Sequence, residues 1–85
     1  MPHQANNEIR EDRRMPGKII RLNKGFGFIE GEDGRDYFFH WTEIDKFSKQ
    51  FRNLAIGEYV NFQPGSTDDG PRAFAIKVIG LANAD

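Results

Sequence analysis

Five short stretches of the chain, rich in β-branched and aromatic side chains, read as strands, and 58–63 alternates apolar and polar residues cleanly with the two-residue period of a strand. The five are 18–22 (KIIRL), 25–30 (GFGFIE), 35–41 (RDYFFHW), 58–63 (EYVNFQ) and 72–79 (RAFAIKVI). The fourth sets Val60 and Phe62 on one face. The fifth sets Phe74, Ile76 and Val78 on one face. The second and third are joined by GEDG, where Asp33-Gly34 is a short hairpin signal. The stretch 64–71 (PGSTDDGP) has the composition of a loop. One segment breaks the pattern. In 42–54 (TEIDKFSKQFRNL), Ile44, Phe47, Phe51 and Leu54 fall at steps of three, four and three, which is a helical stripe. Thr42 with Asp45 resembles a capping box. A short helix or 3₁₀ turn is expected here, followed by a loop to Gly57.

Five short strands and one helical connection in so few residues predict an all-β fold: a five-stranded antiparallel Greek-key barrel of the oligonucleotide-binding (OB) type. A short helical turn lies between the third and fourth strands. Closure removes the unpaired edges that a small open sheet would expose. The folded part is expected over 15–80. Residues 1–14 are polar, carry a run of charges and read as a flexible tail. Residues 81–85 read as a short C-terminal end.

Alternation also sorts the aromatic residues. The stretch 24–41 holds four of the chain's eight phenylalanines, a tyrosine and its one tryptophan. Successive strand side chains point to opposite faces. Lys24, Phe26, Phe28 and Glu30 share one face, and Gly25, Gly27 and Ile29 share the other. A core built from the phenylalanine face would take the lysine and the glutamate inside with it. A glycine face turned inward lets the strand bend and approach its neighbours closely. On the next strand, Asp36, Phe38 and His40 lie opposite Tyr37, Phe39 and Trp41. The face with the aspartate and histidine is the solvent face. Phe26, Phe28, Phe38 and His40 therefore form an exposed patch rimmed by Lys24, which Trp41 at the strand end can join. Tyr37, Phe39, Ile29, Val60, Phe62 and Ile76 are assigned to the core.

An exposed aromatic patch of this size marks a binding surface. Base–aromatic stacking is worth roughly 1–3 kcal/mol per base and accepts any base. The net charge of −1, from 12 basic and 13 acidic residues, argues against a protein that grips duplex DNA mainly through phosphates. It is compatible with stacking on single strands. With no cysteine and two histidines, neither a disulfide framework nor a metal centre is expected, and no cofactor is implied. The sequence contains no apolar run of the ~20 residues that span a bilayer and no signal-peptide pattern. A cytoplasmic monomer without membrane contact or a small-molecule substrate is the expectation. Asp36 and His40 share a face, but no nucleophile–base arrangement stands out, so no enzymatic activity is expected.

KGFGFI at 24–29 followed by DYFFHW at 36–41 resembles the paired ribonucleoprotein motifs of the cold-shock domain family. GKIIRLN, IGEYVNF and GPRAFAIKV resemble further strands of the same family, so the likeness runs over 17–79. The resemblance implies a five-stranded OB barrel that binds single-stranded RNA or DNA, often as an RNA chaperone or regulator of gene expression. Its contact positions fall on Lys24, Phe26, Phe28, Asp36, Phe38, His40, Trp41 and Phe51. Departures stand out. Arg21 replaces a surface tryptophan, and its planar guanidinium is able to stack on a base and contact a phosphate. The link before Lys24 is two residues shorter. Trp41 replaces a phenylalanine. Asp68 and Asp69 stand where a basic residue is frequent, which Arg72 partly offsets. Phe51 fits both the apolar stripe and a binding position. Lys46, Lys49 and Arg52 read as a solvated face. The competing function is a protein-interaction barrel that uses the same aromatic patch.

Overall fold

Strand β1 (Met15–Asn23) turns into β2 (Phe26–Gly31) through Lys24 and Gly25 alone. Asn23 faces Phe26 across this two-residue turn. Gly25 adopts φ +80°, a conformation a two-residue hairpin needs and glycine adopts without strain. The second hairpin leads from β2 to β3 (Asp36–His40) through Gly31–Arg35. Its turn is closed by Gly34 N–H donating to Gly31 O at 2.9 Å, with Gly34 at φ +84°. The exposed Asp33 fixes this turn. Its carboxylate accepts from Arg35 N at 3.0 Å and from the Tyr37 hydroxyl at 2.7 Å. After the β3–β4 connection, β4 (Glu58–Thr67) and β5 (Gly70–Leu81) form a long hairpin. The computed structural model describes residues 14–81. Apart from Arg14 and Leu81, the expected tail and C-terminal end lie outside them.

The strands close into a barrel in the order β1-β2-β3-β5-β4. All pairs are antiparallel except β3–β5, a short parallel contact at Phe38↔Arg72 that shuts the barrel. Ile29, Tyr37, Phe39, Val60, Phe62 and Ile76 are buried, as alternation predicts, together with Ile19, Ala73 and Ile44. Gly27 belongs to this inner face: a Cβ there would lie 2.6 Å from Arg21 O and 2.8 Å from Phe39 Cζ. Gly17 is equally confined, with Ile29 Cγ2 2.6 Å from where its Cβ would be.

Three local expectations are corrected, while the helical turn expected in 42–54 is present as two short 3₁₀ turns, Trp41–Glu43 and Phe51–Asn53. Ile44 is buried, bridging to Ile76, while Phe47 is 92% exposed. The first turn is capped by His40, whose side chain accepts from Thr42 N, and not by Thr42. The stretch 64–71 is mostly strand, since β4 runs on to Thr67 and β5 starts at Gly70 around an Asp68-Asp69 turn. Pro64 is tolerated there because β4 pairs with β1 only as far as Phe62, which leaves that side a free edge. Lastly, Phe74 does not share a face with Ile76. Ala75 lies between them at φ +48°, and a register shift against β4 between Asn61 and Gln63 accompanies it. This kink turns Ala73 and Ile76 inward and Phe74 outward.

Candidate nucleic-acid interface

Strand register assembles the site. Arg21 on β1 pairs with Phe28 on β2, Phe28 with Phe38 on β3, and Phe38 with Arg72 on β5. The outer face of four strands therefore carries one row: arginine, phenylalanine, phenylalanine, arginine. The next row is Asn23, Phe26 and His40. On the other side lie Lys18, Glu30 and Asp36, so the exposed Asp36 sits at an acidic margin tempered by one lysine.

The three phenylalanines are half-buried and support one another. Ring centroids are 5.6 Å apart for Phe26–Phe38, 5.7 Å for Phe28–Phe38 and 6.4 Å for Phe26–Phe28, with Phe28 edge-on to both partners. Edge-to-face contact at this spacing suits the ring quadrupoles and holds the platform without filling a core. The guanidinium of Arg21 lies 5.9 Å from the Phe28 centroid, and that of Arg72 lies 5.3 Å from Phe38 and 5.8 Å from Phe74. The Arg72 Nε is buried and makes no hydrogen bond to the protein. A cavity of about 230 Å³ beside it is lined by Phe28, Phe38, Thr67, Asp69 and Pro71.

His40 extends the platform toward Trp41, with ring centroids 5.9 Å apart. Its Nδ1 accepts from Thr42 N and lies 2.9 Å from Thr42 Oγ1. The neutral ring then carries its hydrogen on Nε2, where it can donate to a ligand. Trp41 is half-exposed at the start of the first 3₁₀ turn, and its backbone N–H donates to Gly25 O at 2.9 Å, tying the tryptophan to the β1–β2 turn.

The residues singled out from the sequence thus divide. Arg21, Phe26, Phe28, Phe38 and His40 form one continuous surface, and Trp41 adjoins it. Lys24 belongs to the exposed turn beside Gly25 and not to the strand, so it does not alternate with Phe26. Asp36 lies one row away. Phe51 packs against the core, 6.3 Å from Phe39, and also lines a groove with Trp41. Sequence reasoning missed Phe74 and the full part of Arg72, because the kink at Ala75 that turns both outward leaves no trace in the alternation. Among the described residues no cluster of three metal-ligating side chains occurs, and no helix is long and apolar enough to cross a membrane.

The family model of the 'Cold-shock' DNA-binding domain matches residues 15–79. Cold shock protein 1 of Lactiplantibacillus plantarum is 43% identical over 56 residues, covering 66% of this chain and 82% of its own. The probable cold shock protein A of Mycolicibacterium smegmatis is 41% identical over 63 residues, covering 73% and 91%. Among solved structures, drosophila Unr CSD456 superposes with a TM-score of 0.69 at 24% identity over 100% of this chain, which spans 34% of that longer one.

Proposed function

We propose that this chain, which belongs to the cold-shock domain family, binds single-stranded RNA or DNA by stacking unpaired bases on Phe26, Phe28, Phe38, His40 and Trp41. The family generally binds single-stranded nucleic acids. The observation that carries the reading for these residues is the Arg21–Phe28–Phe38–Arg72 row beside Phe26 and His40. Flat rings offer stacking faces, and the flanking guanidinium groups supply donors for phosphates and base carbonyls. Three or four stacked bases at roughly 1–3 kcal/mol each, less the cost of ordering the strand, correspond to about micromolar to nanomolar affinity. A chain with a net charge of −1 reaches this affinity because stacking, not phosphate neutralisation, supplies most of the energy. The role is that of an RNA chaperone or regulator of gene expression, acting in the cytoplasm as a monomer without cofactor or catalysis. Asp36 and His40 stand four residues apart on one strand with Phe38 between them, an arrangement that suits a binding face and lacks a nucleophile.

Trp41 is the reporter. Titration with oligo-dT and oligo-U should quench its fluorescence. With about two or three phosphates engaged by Arg21, Arg72 and Lys24, the slope of log affinity on log salt should be about −1.4 to −2.1. Absence of binding by either strand at any salt would overturn the reading and point to a protein partner on the same patch.

A further inference from the structure

Phe47 is the most exposed large apolar side chain of the described residues, at 92%, and it does not stand alone. It lines an open groove of about 710 Å³ with Trp41, Ile44 and Phe51, a volume in the range of small-ligand sites. The loop that presents it is firmly built. The Asp45 carboxylate accepts from Phe47 N at 2.9 Å, and its backbone oxygen accepts from Ser48 N at 2.8 Å and Ser48 Oγ at 2.6 Å. Asp45 N donates to Ile76 O at 2.7 Å, and Val78 N donates to Ser48 Oγ at 3.0 Å, so the loop is pinned to β5 at two points. Lys49 pins it to β4 through an ion pair with the buried Glu58. A large ring held in water by a loop tied on both sides is displayed rather than left over.

The groove's charge identifies what it takes. Lys46, Lys49 and Arg52 line it against a single acid, Asp45. Lys49 is engaged by Glu58, and the Asp45 carboxylate by the loop's own N–H. Among the described residues, Lys46 and Arg52 are in no ion pair. The groove is therefore apolar on its floor and cationic on its rim, and it begins at Trp41, where the aromatic platform ends. A cationic rim over an apolar floor suits a strand leaving the platform, which presents a flat base to the rings and a phosphate to the rim.

We infer that Phe47 and the rim of Lys46 and Arg52 form a further base site, which seats one more unpaired nucleotide beyond Trp41. This rests on the single-strand reading above. The groove meets the platform at Trp41, and Phe47 lies in the β3–β4 connection, outside the motif strands β2 and β3, so it adds a stacking face to those of the platform.

The test is a length series of oligo-dT from roughly 4 to 10 nucleotides, within the range an OB fold occupies. It is run with wild-type protein, Phe47→Ala, Phe47→Trp and the Lys46→Ala/Arg52→Ala double variant. Wild-type affinity should climb with length and then level off. Phe47→Ala should level off one nucleotide sooner and end about 5- to 150-fold weaker on the longest strand, with the shortest strand bound within about twofold of wild type, and Phe47→Trp should restore the gain. The rim variant should flatten the salt slope on long strands only. Equal losses on all lengths, or no loss on the longest, would overturn the inference. Failure of wild-type protein to bind any strand would instead sink the single-strand reading itself. Since Phe47 is almost wholly in solvent, Phe47→Ala should leave the melting temperature unchanged, which separates a missing stacking face from a damaged fold.

Discussion

Phe38 and Phe39 are neighbours in the chain with opposite fates, and Phe28 and Phe39 make the cleanest pair for testing this. Phe39 is 0% exposed, in the centre of the core. Truncating such a ring removes about 3–5 kcal/mol. At about 0.05–0.15 kcal/mol per residue, a chain of this length has roughly 4–13 kcal/mol in all, so Phe39→Ala forfeits a large share of it. At about 4–8 °C per kcal/mol for a small domain, the melting temperature should drop by at least about 12 °C, and the weaker end of the range is an unfolded chain at room temperature. Phe28 contributes differently. Its ring is half-buried and makes two edge contacts, to Phe26 and Phe38, which truncation removes. Each is worth about 0.5–1.5 kcal/mol at its best geometry, and partial exposure puts the total near 1 kcal/mol. Phe28→Ala should thus melt only about 4–8 °C lower.

Binding should reverse the order. Phe28→Ala removes a stacking face worth roughly 1–3 kcal/mol, which is about 5- to 150-fold in affinity for oligo-dT. Circular dichroism melts and Trp41 quenching measure the two quantities on the same samples. A Phe28→Ala protein that melts as low as Phe39→Ala would mean the ring belongs to the core. One that binds as wild type would mean the platform is not where bases sit.

Three further outcomes are expected. Ala75→Gly should raise the melting temperature by a few degrees, because a non-glycine residue in the left-handed region costs about 1–2 kcal/mol and the extra freedom of glycine in the unfolded chain returns only part of this; a fall would show that Ala75 is not strained. The hydrogen bond from Tyr37 holds the Asp33 carboxyl below its usual range, helped by Arg35 N–H, while burial first and the Asp33 contact second push the Tyr37 hydroxyl up. The depressed carboxyl adds stability that is present above its unfolded pKa and is lost as pH falls below about 4. The raised phenol adds stability that is present below about pH 10 and is lost as pH climbs past it; Tyr37→Phe should flatten that alkaline limb in a melt-versus-pH series, and an unchanged limb would refute the assignment. Replacing Arg21 and Arg72 together by glutamine should make the salt slope of oligo-dT binding shallower by about 1.4, or 0.7 for each phosphate no longer neutralised, and a slope identical to wild type would show that neither guanidinium reaches a phosphate.

The core was legible where the strands keep a strict period of two. Ile29, Tyr37, Phe39, Val60 and Phe62 all point where alternation sends them, and Gly27 marks the inner face by the room it leaves for Phe39. The β3–β4 connection was not legible in the same way. Ile44, Phe47, Phe51 and Leu54 have helical spacing, but hydrogen bonds to Ile76 and Val78 and the ion pair to Glu58 hold the loop open. Tertiary contacts therefore override a stripe too short to nucleate a helix. The β4–β5 hairpin was misread for the opposite reason. Turn-type composition at 64–71 is accommodated in a ribbon whose free edge makes no demand on Pro64.

The two arginines that flank the platform reach it only because the strands break their own period. Arg21 lies two residues after the buried Ile19, so unbroken alternation would send it into the barrel; a register shift after Ile19 gives β1 one extra residue, pairs Arg21 with Phe28 and turns Leu22 inward instead. Arg72 lies four residues before the buried Ile76, and unbroken alternation would bury it too; the left-handed turn of backbone at Ala75 reverses the phase and puts Arg72 beside Phe38. Burying an unpaired guanidinium in a core this small would cost several kcal/mol, a large part of the stability available to the domain, whereas one positive-φ alanine costs about 1–2 kcal/mol. Each irregularity therefore relieves the larger penalty and in doing so moves a cation to the edge of an aromatic face. Ala75 is held in this state from both sides, its N–H donating to Glu43 at 3.0 Å and its carbonyl accepting from Arg14 at 2.6 Å. Glu43 belongs to the turn that begins at Trp41. The kink that exposes Arg72 is thus fastened to the segment that carries the far end of the same surface, and Glu43→Gln, which keeps the acceptor, should preserve binding where Glu43→Ala loosens it.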